Sequence, residues 1–184
     1  MTKQELLGAM NAILNNYLLG MLMTRVTRAE NWTSQKEEIA SFQGPPPLEK
    51  DILTVNVKHI IQGMLNPSSN RILVIEFENV LKRALVSEGH EAILNYCEQS
   101  NQFPKYKATP WFQFARIIRN VVSHKTGGIL QQWPGDLTKA GVTSVTWRHK
   151  TIDIGMVGKE VTATHYDVLK LYSDQLVFAE KELV

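Results

Sequence analysis

The sequence predicts a mainly α-helical protein with one small β-hairpin just before its last helix. Three observations carry this. Apolar residues recur at helical spacing through most of the chain, and strict apolar–polar alternation is confined to about residues 145–156. Helix-start signatures and Pro/Gly stops also punctuate the segments between them. A chain of 184 residues is long enough to bury a substantial core in one domain.

Residues Lys3 to about Ala29 read as a long helix, with Leu7, Met10, Leu14, Tyr17 and Met21 at heptad spacing. Ser34, with Glu37 three residues on, resembles a capping box and predicts a short helix to about Gln43. Gly44-Pro45-Pro46-Pro47 then forms a stiff connector. Leu53, Val57, Ile60, Ile61 and Met64 fit a helical period despite their β-branched members, and Asn66-Pro67 stops that segment. Residues 1–66 are thus expected to form an N-terminal helical extension packed on a bundle made by residues 67–184.

Ser68-Ser69-Asn70 offers caps for a helix from about Arg71 to Val86, with Leu73, Phe77, Val80, Leu81 and Ala84 inward. A second, shorter helix is expected from Glu88 to Gln99, burying Ile93, Tyr96 and Cys97, and then a polar loop to Lys107. Thr109 suits an N-cap and Pro110 a first helical position, while Gly127-Gly128 suits a stop. Between them lies WFQFARIIRNVVSHKTGG. Residues 129–141 have no clear period and read as a loop. Val145 and Trp147 alternate on one side of Arg148-His149-Lys150, and Ile152, Ile154 and Met156 on the other, which predicts the hairpin. Thr164 with Asp167 makes a second capping box, opening a C-terminal helix with Val168, Leu169, Tyr172, Leu176 and Ala179 inward.

Composition narrows function. The single cysteine, Cys97, excludes an intrachain disulfide and a cysteine-based zinc site, and suits a core position in a reducing compartment. The N-terminus lacks a basic region followed by an unbroken apolar run, so no signal peptide is expected. The apolar run Ile13–Met23 is broken by Asn15 and Asn16 and reads as too short for a bilayer; the expected location is cytoplasmic. Phosphate-loop, zinc-protease and nucleophile-elbow motifs are absent. The five histidines lack metal-ligand spacing, and His59, His90, His149 and His165 read as surface or capping residues. No metal or cofactor is expected.

Charge points to an anionic partner. Residues 101–150 hold Lys105, Lys107, Arg116, Arg119, Lys125, Lys139, Arg148 and Lys150 against the single acid Asp136, a net +7 that leaves −5 for the rest of a +2 chain. On this helix, one arc holds Trp111, Phe114, Ala115, Ile117, Ile118, Val121 and Val122. The other holds Arg116, Arg119, Asn120, Ser123 and His124. Arg119 and His124 are separated by about 7.5 Å along the axis. A guanidinium fork suits phosphate oxygens, and an imidazole suits proton transfer near neutral pH. A solvated face of a core helix has the same pattern.

The segment RNVVSH, with FARII before it and KTGG after it, resembles the signature of the HEPN superfamily: an arginine, usually a polar residue, then a histidine after four to six intervening residues. The order of elements from Ser68 to Val184 is similar too: a helix carrying FENVLKRAL, a shorter helix, the motif helix, the hairpin VTWRHKTIDIG, then THYDVLKLYSDQL. The resemblance does not reach residues 1–66. It implies a HEPN-like bundle and a metal-independent RNA endonuclease whose two subunits face their motif helices across a cleft. Arg119, Asn120 and His124 would be catalytic there, Arg116 and Lys125 RNA-binding, and Glu76 or Glu78 would support the arginine. The implied setting is a toxin or phage-defence factor, with an antitoxin among the partners. Two alternatives stand beside it: a non-catalytic HEPN-type module binding RNA, nucleotide or protein, and a helical interaction protein whose N-terminal heptads bind a partner.

Overall fold

The structure is a computed structural model, and it describes residues 1–26, 39–43, 52–56, 67–123 and 128–184. Its helices are α1 (Lys3–Val26), α2 (Pro67–Gln99), α3 (Phe103–Lys107), α4 (Phe112–Ser123), α5 (Gly135–Lys139) and α6 (His165–Lys181). The strands are β1 (Ile39–Gln43), β2 (Ile52–Asn56), β3 (Ser144–Trp147) and β4 (Lys150–Asp153). The protein is mainly helical, with a two-stranded antiparallel hairpin before the last helix, as the periodicity predicts. Two compact units divide the chain: Met1–Tyr17 with Leu81–Val184, and Leu18–Val80.

The second unit departs most from the sequence reading. Residues 39–43, expected to end a helix, form β1 instead. They pair antiparallel with β2, from Ile39↔Asn56 to Gln43↔Ile52. The β-branched run Ile52, Thr54, Val55 prefers a pleated backbone, which outweighs the helical spacing that begins at Leu53. The rest of both expected helices, residues 34–38 and 57–64, lies outside the described residues. The units also divide the chain at Tyr17 and Leu81, rather than at the boundary expected at residue 66. The reason is burial: Leu6, Met10 and Tyr17 of α1 are core residues, and the Tyr172 hydroxyl donates to the Met10 carbonyl at 2.6 Å. By length and composition, Lys3–Thr24 is long and apolar enough to cross a membrane, a property the shorter run Ile13–Met23 hides.

Helix α2 runs unbroken where two helices were expected. Pro67 is its first residue, so the expected caps Ser68, Ser69 and Asn70 lie inside it. Gly89 does not interrupt it, because its missing side chain makes room for a ring. A Cβ there would lie 2.4 Å from Cε2 of Tyr172. The buried stripe is Leu85, Val86, His90, Ile93, Tyr96 and Cys97, whereas Phe77 and Val80, expected inward, are exposed. Burial pushes the Cys97 thiol up to about 11, consistent with an inert core residue.

The stretch expected as a polar loop before α4 holds the short helix α3, with Pro104 in its first turn. Thr109 does not cap α4; its hydroxyl donates back to the Tyr106 carbonyl, and α4 starts at Phe112. Residues 129–141 contain α5, which follows Pro134. The hairpin closes at Arg148, with φ 52°, and places Val145 opposite Ile152 and Trp147 opposite Lys150. Its second arm ends at Asp153, because Ile154–Met156 turn into a 3-10 helix that Asp153 caps. The capping box at Thr164 and Asp167 forms as predicted. The core of the first unit joins α2, α3, α4 and α6 around Tyr106, Trp111, Phe112 and Phe178, with ring centroids as close as 4.9 Å.

Gly89→Ala tests this packing. Alanine would gain about 1 kcal/mol of helix propensity. Forcing the tethered Tyr172 ring aside costs ~1–3 kcal/mol, so the clash prevails. The variant should unfold at lower urea than the parent; an unchanged or raised midpoint would show that the contact is not tight.

Candidate functional site

The high amphipathicity of α4 sets up the site. Phe112, Phe114, Ala115, Ile117, Ile118 and Val121 are buried, which turns Arg116, Arg119, Asn120 and Ser123 away from the core. Helix α2 lies beside α4 with opposite polarity. Two polar rungs show this: Ser87 Oγ is 2.5 Å from Ser123 Oγ, and Arg119 Nη2 is 2.6 Å from Glu91 Oε1. Four residues separate the rungs on each helix, so both lie on facing edges.

Arg119 is held at two nitrogens. Nη2 donates to Glu91, and Nη1 donates to Asn120 Oδ1 at 3.3 Å. Its Nε is buried without a hydrogen-bond partner among the described residues. Such an arrangement costs about 1–3 kcal/mol and calls for an explanation beyond packing. The Arg119 side chain keeps 34% of its surface exposed and that of Glu91 50%, so the pair borders solvent. The supporting acid is therefore Glu91 and not Glu76 or Glu78. Glu76 is exposed, and Glu78 accepts from Thr24 Oγ1.

Arg116 is drawn elsewhere. It makes a bidentate pair with Asp136 at 2.8 and 3.0 Å, in which the guanidinium hydrogen bonds hold the Asp136 carboxyl below its usual range. The structure thus brings together Arg119, Asn120 and Glu91, and separates Arg116 from them. His124 and Lys125 lie outside the described residues, as does His59. Among the described residues, no three His, Cys, Asp or Glu side chains gather as a metal site requires. An open groove of about 460 Å³ lined by Trp111, Asp174, Phe178 and Glu182 sits at the start of α4.

Two other histidines, His90 and His165, hydrogen-bond to tyrosines. His90, expected at the surface, is buried behind Arg119, with Nδ1 2.8 Å from the Tyr106 hydroxyl. Burial, reinforced by the positive charge of Arg119, lowers its pKa to about 4. His165 opens α6, with Nδ1 2.6 Å from the Tyr17 hydroxyl. His149 is exposed at the hairpin turn. Sequence reasoning missed Glu91, Ser87 and His90 because they share one helix turn region with no motif of its own. The available signal was the matched four-residue spacing of Ser87–Glu91 and Arg119–Ser123.

The His90 shift predicts a pH dependence of stability. The unfolded state takes up a proton at the ordinary histidine pKa of 6.5, whereas the folded state does so only near 4. Stability therefore falls as pH drops from about 6.5 to about 4, by on the order of 3 kcal/mol from this residue. Urea titrations across that range should show the slope in the parent and a flatter one in His90→Gln. Parallel slopes would remove His90 as the cause.

Comparison of the chain with protein-family models, with curated proteins and with solved structures finds no match.

Proposed function

We propose that this chain is an RNA endonuclease of HEPN type, in which Arg119, Asn120 and His124 form the reactive set. Two copies meet through their α4 helices. The observation that carries this reading is the state of Arg119. It stands on the last turns of α4, oriented by Glu91 and Asn120, one-third exposed to solvent, and five positions before His124. An arginine fixed in this way is pre-organised for charge that develops on a phosphate.

In the proposed reaction the ribose 2′-oxygen attacks the adjacent phosphorus and the bond to the 5′-oxygen breaks. The products are a 2′,3′-cyclic phosphate and a 5′-hydroxyl. His124 protonates the leaving oxygen, Arg119 stabilises the phosphorane, and Asn120 keeps the guanidinium in place. The nucleophile belongs to the substrate, so the step requires no metal, and a strand lacking the 2′-hydroxyl is not cut. Lys125 adds a phosphate contact. Arg116 does so only if it leaves Asp136. The cellular role that fits is a cytoplasmic toxin or phage-defence factor with an antitoxin partner.

A second reading is a non-catalytic module for RNA, nucleotide or protein. The observation favouring it is that both arginines of the polar arc already carry carboxylate partners.

Single-stranded RNA incubated with the protein in EDTA separates the two readings. The endonuclease should leave cyclic phosphate ends, and Arg119→Ala and His124→Ala should each lower the rate by at least about 100-fold with the helical circular-dichroism signal unchanged. Cleavage that survives both substitutions rules out the assigned residues; binding without cleavage supports the module.

A further inference from the structure

We propose that Glu91 is the general base of the site, taking the proton from the attacking 2′-hydroxyl; this rests on the endonuclease reading above. That reading supplies an acid for the leaving oxygen and a cation for the phosphate, but no proton acceptor from within the same subunit. The two-rung face between α2 and α4 provides one.

The assignment follows from what each group on that face can do. Ser87 and Ser123 are neutral hydroxyls hydrogen-bonded to each other. Asn120 is neutral, and an arginine stays protonated. His90 is buried and engaged with Tyr106, so it faces the core. Among the described residues of this face, Glu91 alone is an anionic oxygen acid. One of its oxygens, Oε1, is 2.6 Å from Arg119 Nη2, and half of the side chain is exposed. A phosphate bound by Arg119 would bring the neighbouring 2′-hydroxyl beside this carboxylate. That hydroxyl is a near neighbour of the same phosphorus.

The step balances within one turnover. The 2′-O–H bond breaks and its proton passes to the Glu91 carboxylate as the 2′-O–P bond forms. The P–O5′ bond breaks, and the 5′-oxygen takes its proton from protonated His124. Exchange with water then returns the proton from Glu91 and recharges the histidine. The arginine contact has a second effect in this scheme. It holds the carboxylate aimed until substrate arrives, and the phosphate then competes for the same guanidinium.

Glu91→Gln tests the assignment, since it keeps the shape and the hydrogen bond to Arg119 but cannot take a proton. Two quantities are read: the single-turnover cleavage rate of a short RNA, and the Kd for the same strand with a 2′-deoxy residue at the cut site. The rate should fall by about 100-fold or more, and Kd should stay within a few-fold or tighten, because a negative charge beside the phosphate is gone. Glu91→Asp, which keeps a shorter carboxylate, should retain more activity than Glu91→Gln. Formate should restore part of the rate to Glu91→Ala. If the parent cleaves and His124→Ala does not, but Glu91→Gln cuts at the parental rate, Glu91 is not the base and the endonuclease reading stands. A loss in Glu91→Gln confined to Kd, or shared equally by Glu91→Asp without formate rescue, likewise overturns it, making Glu91 a positioning residue for Arg119. A parent that never cleaves RNA overturns both.

Discussion

The hydrogen bond between Tyr106 and His90 holds the first unit in register. Tyr106 is fully buried on the short helix α3. Its hydroxyl meets His90 on α2, while its ring packs on Phe112 of α4 and Phe178 of α6. Each such aromatic pair contributes about 0.5–1.5 kcal/mol beyond area burial. More important is the constraint on position. His90 can satisfy its imidazole in the core only with α2 at one height along α4. That height sets Glu91, the next residue, opposite Arg119. Desolvation keeps both partners neutral: burial raises the phenol of Tyr106 as it lowers the imidazole of His90. The core thereby places a charged pair at its rim without admitting charge to its interior.

Elements whose information is local were legible in the sequence. The capping box of α6 needs only Thr164 and Asp167, and the hairpin needs only alternation about a two-residue turn. The reading failed where a distant residue decides. The chain reads as two helices meeting near residue 87, whereas one helix runs through, with Gly89 leaving space for the Tyr172 ring. Thr109 reads as a cap until its hydroxyl is found turned back to Tyr106. Strand β1 reads as a helix end because Ser34 and Glu37 resemble a capping box, and β2 because helical spacing starts at Leu53 in a segment whose β-branched residues favour pairing.

The candidate site divides along the same line. The polar arc of α4 follows from periodicity, because the apolar positions that anchor the helix leave Arg119 and Asn120 on the opposite side. What holds Arg119 is a tertiary matter. Glu91 lies 28 residues earlier on another helix and carries no motif. The choice among Glu76, Glu78 and Glu91 depends on which turn of α2 meets α4. A helical face thus identifies a cation, whereas its partner is specified only by the core that aligns the two helices.

The Arg116–Asp136 pair has a consequence for how an anion would find this protein. Among the described residues, four basic residues of the positive window contact a carboxylate: Arg116 with Asp136, Arg119 with Glu91, Arg148 with Asp174 and Lys150 with Asp167. Three of those carboxylates come from outside the window. From a distance each pair is a dipole, and its field fades well within the screening length of about 8 Å at physiological salt. The segment is therefore a weaker long-range attractor than its net +7 alone implies. Under the proposed function, discrimination at this surface would fall to contact geometry, with an incoming phosphate exchanging places with a carboxylate already there.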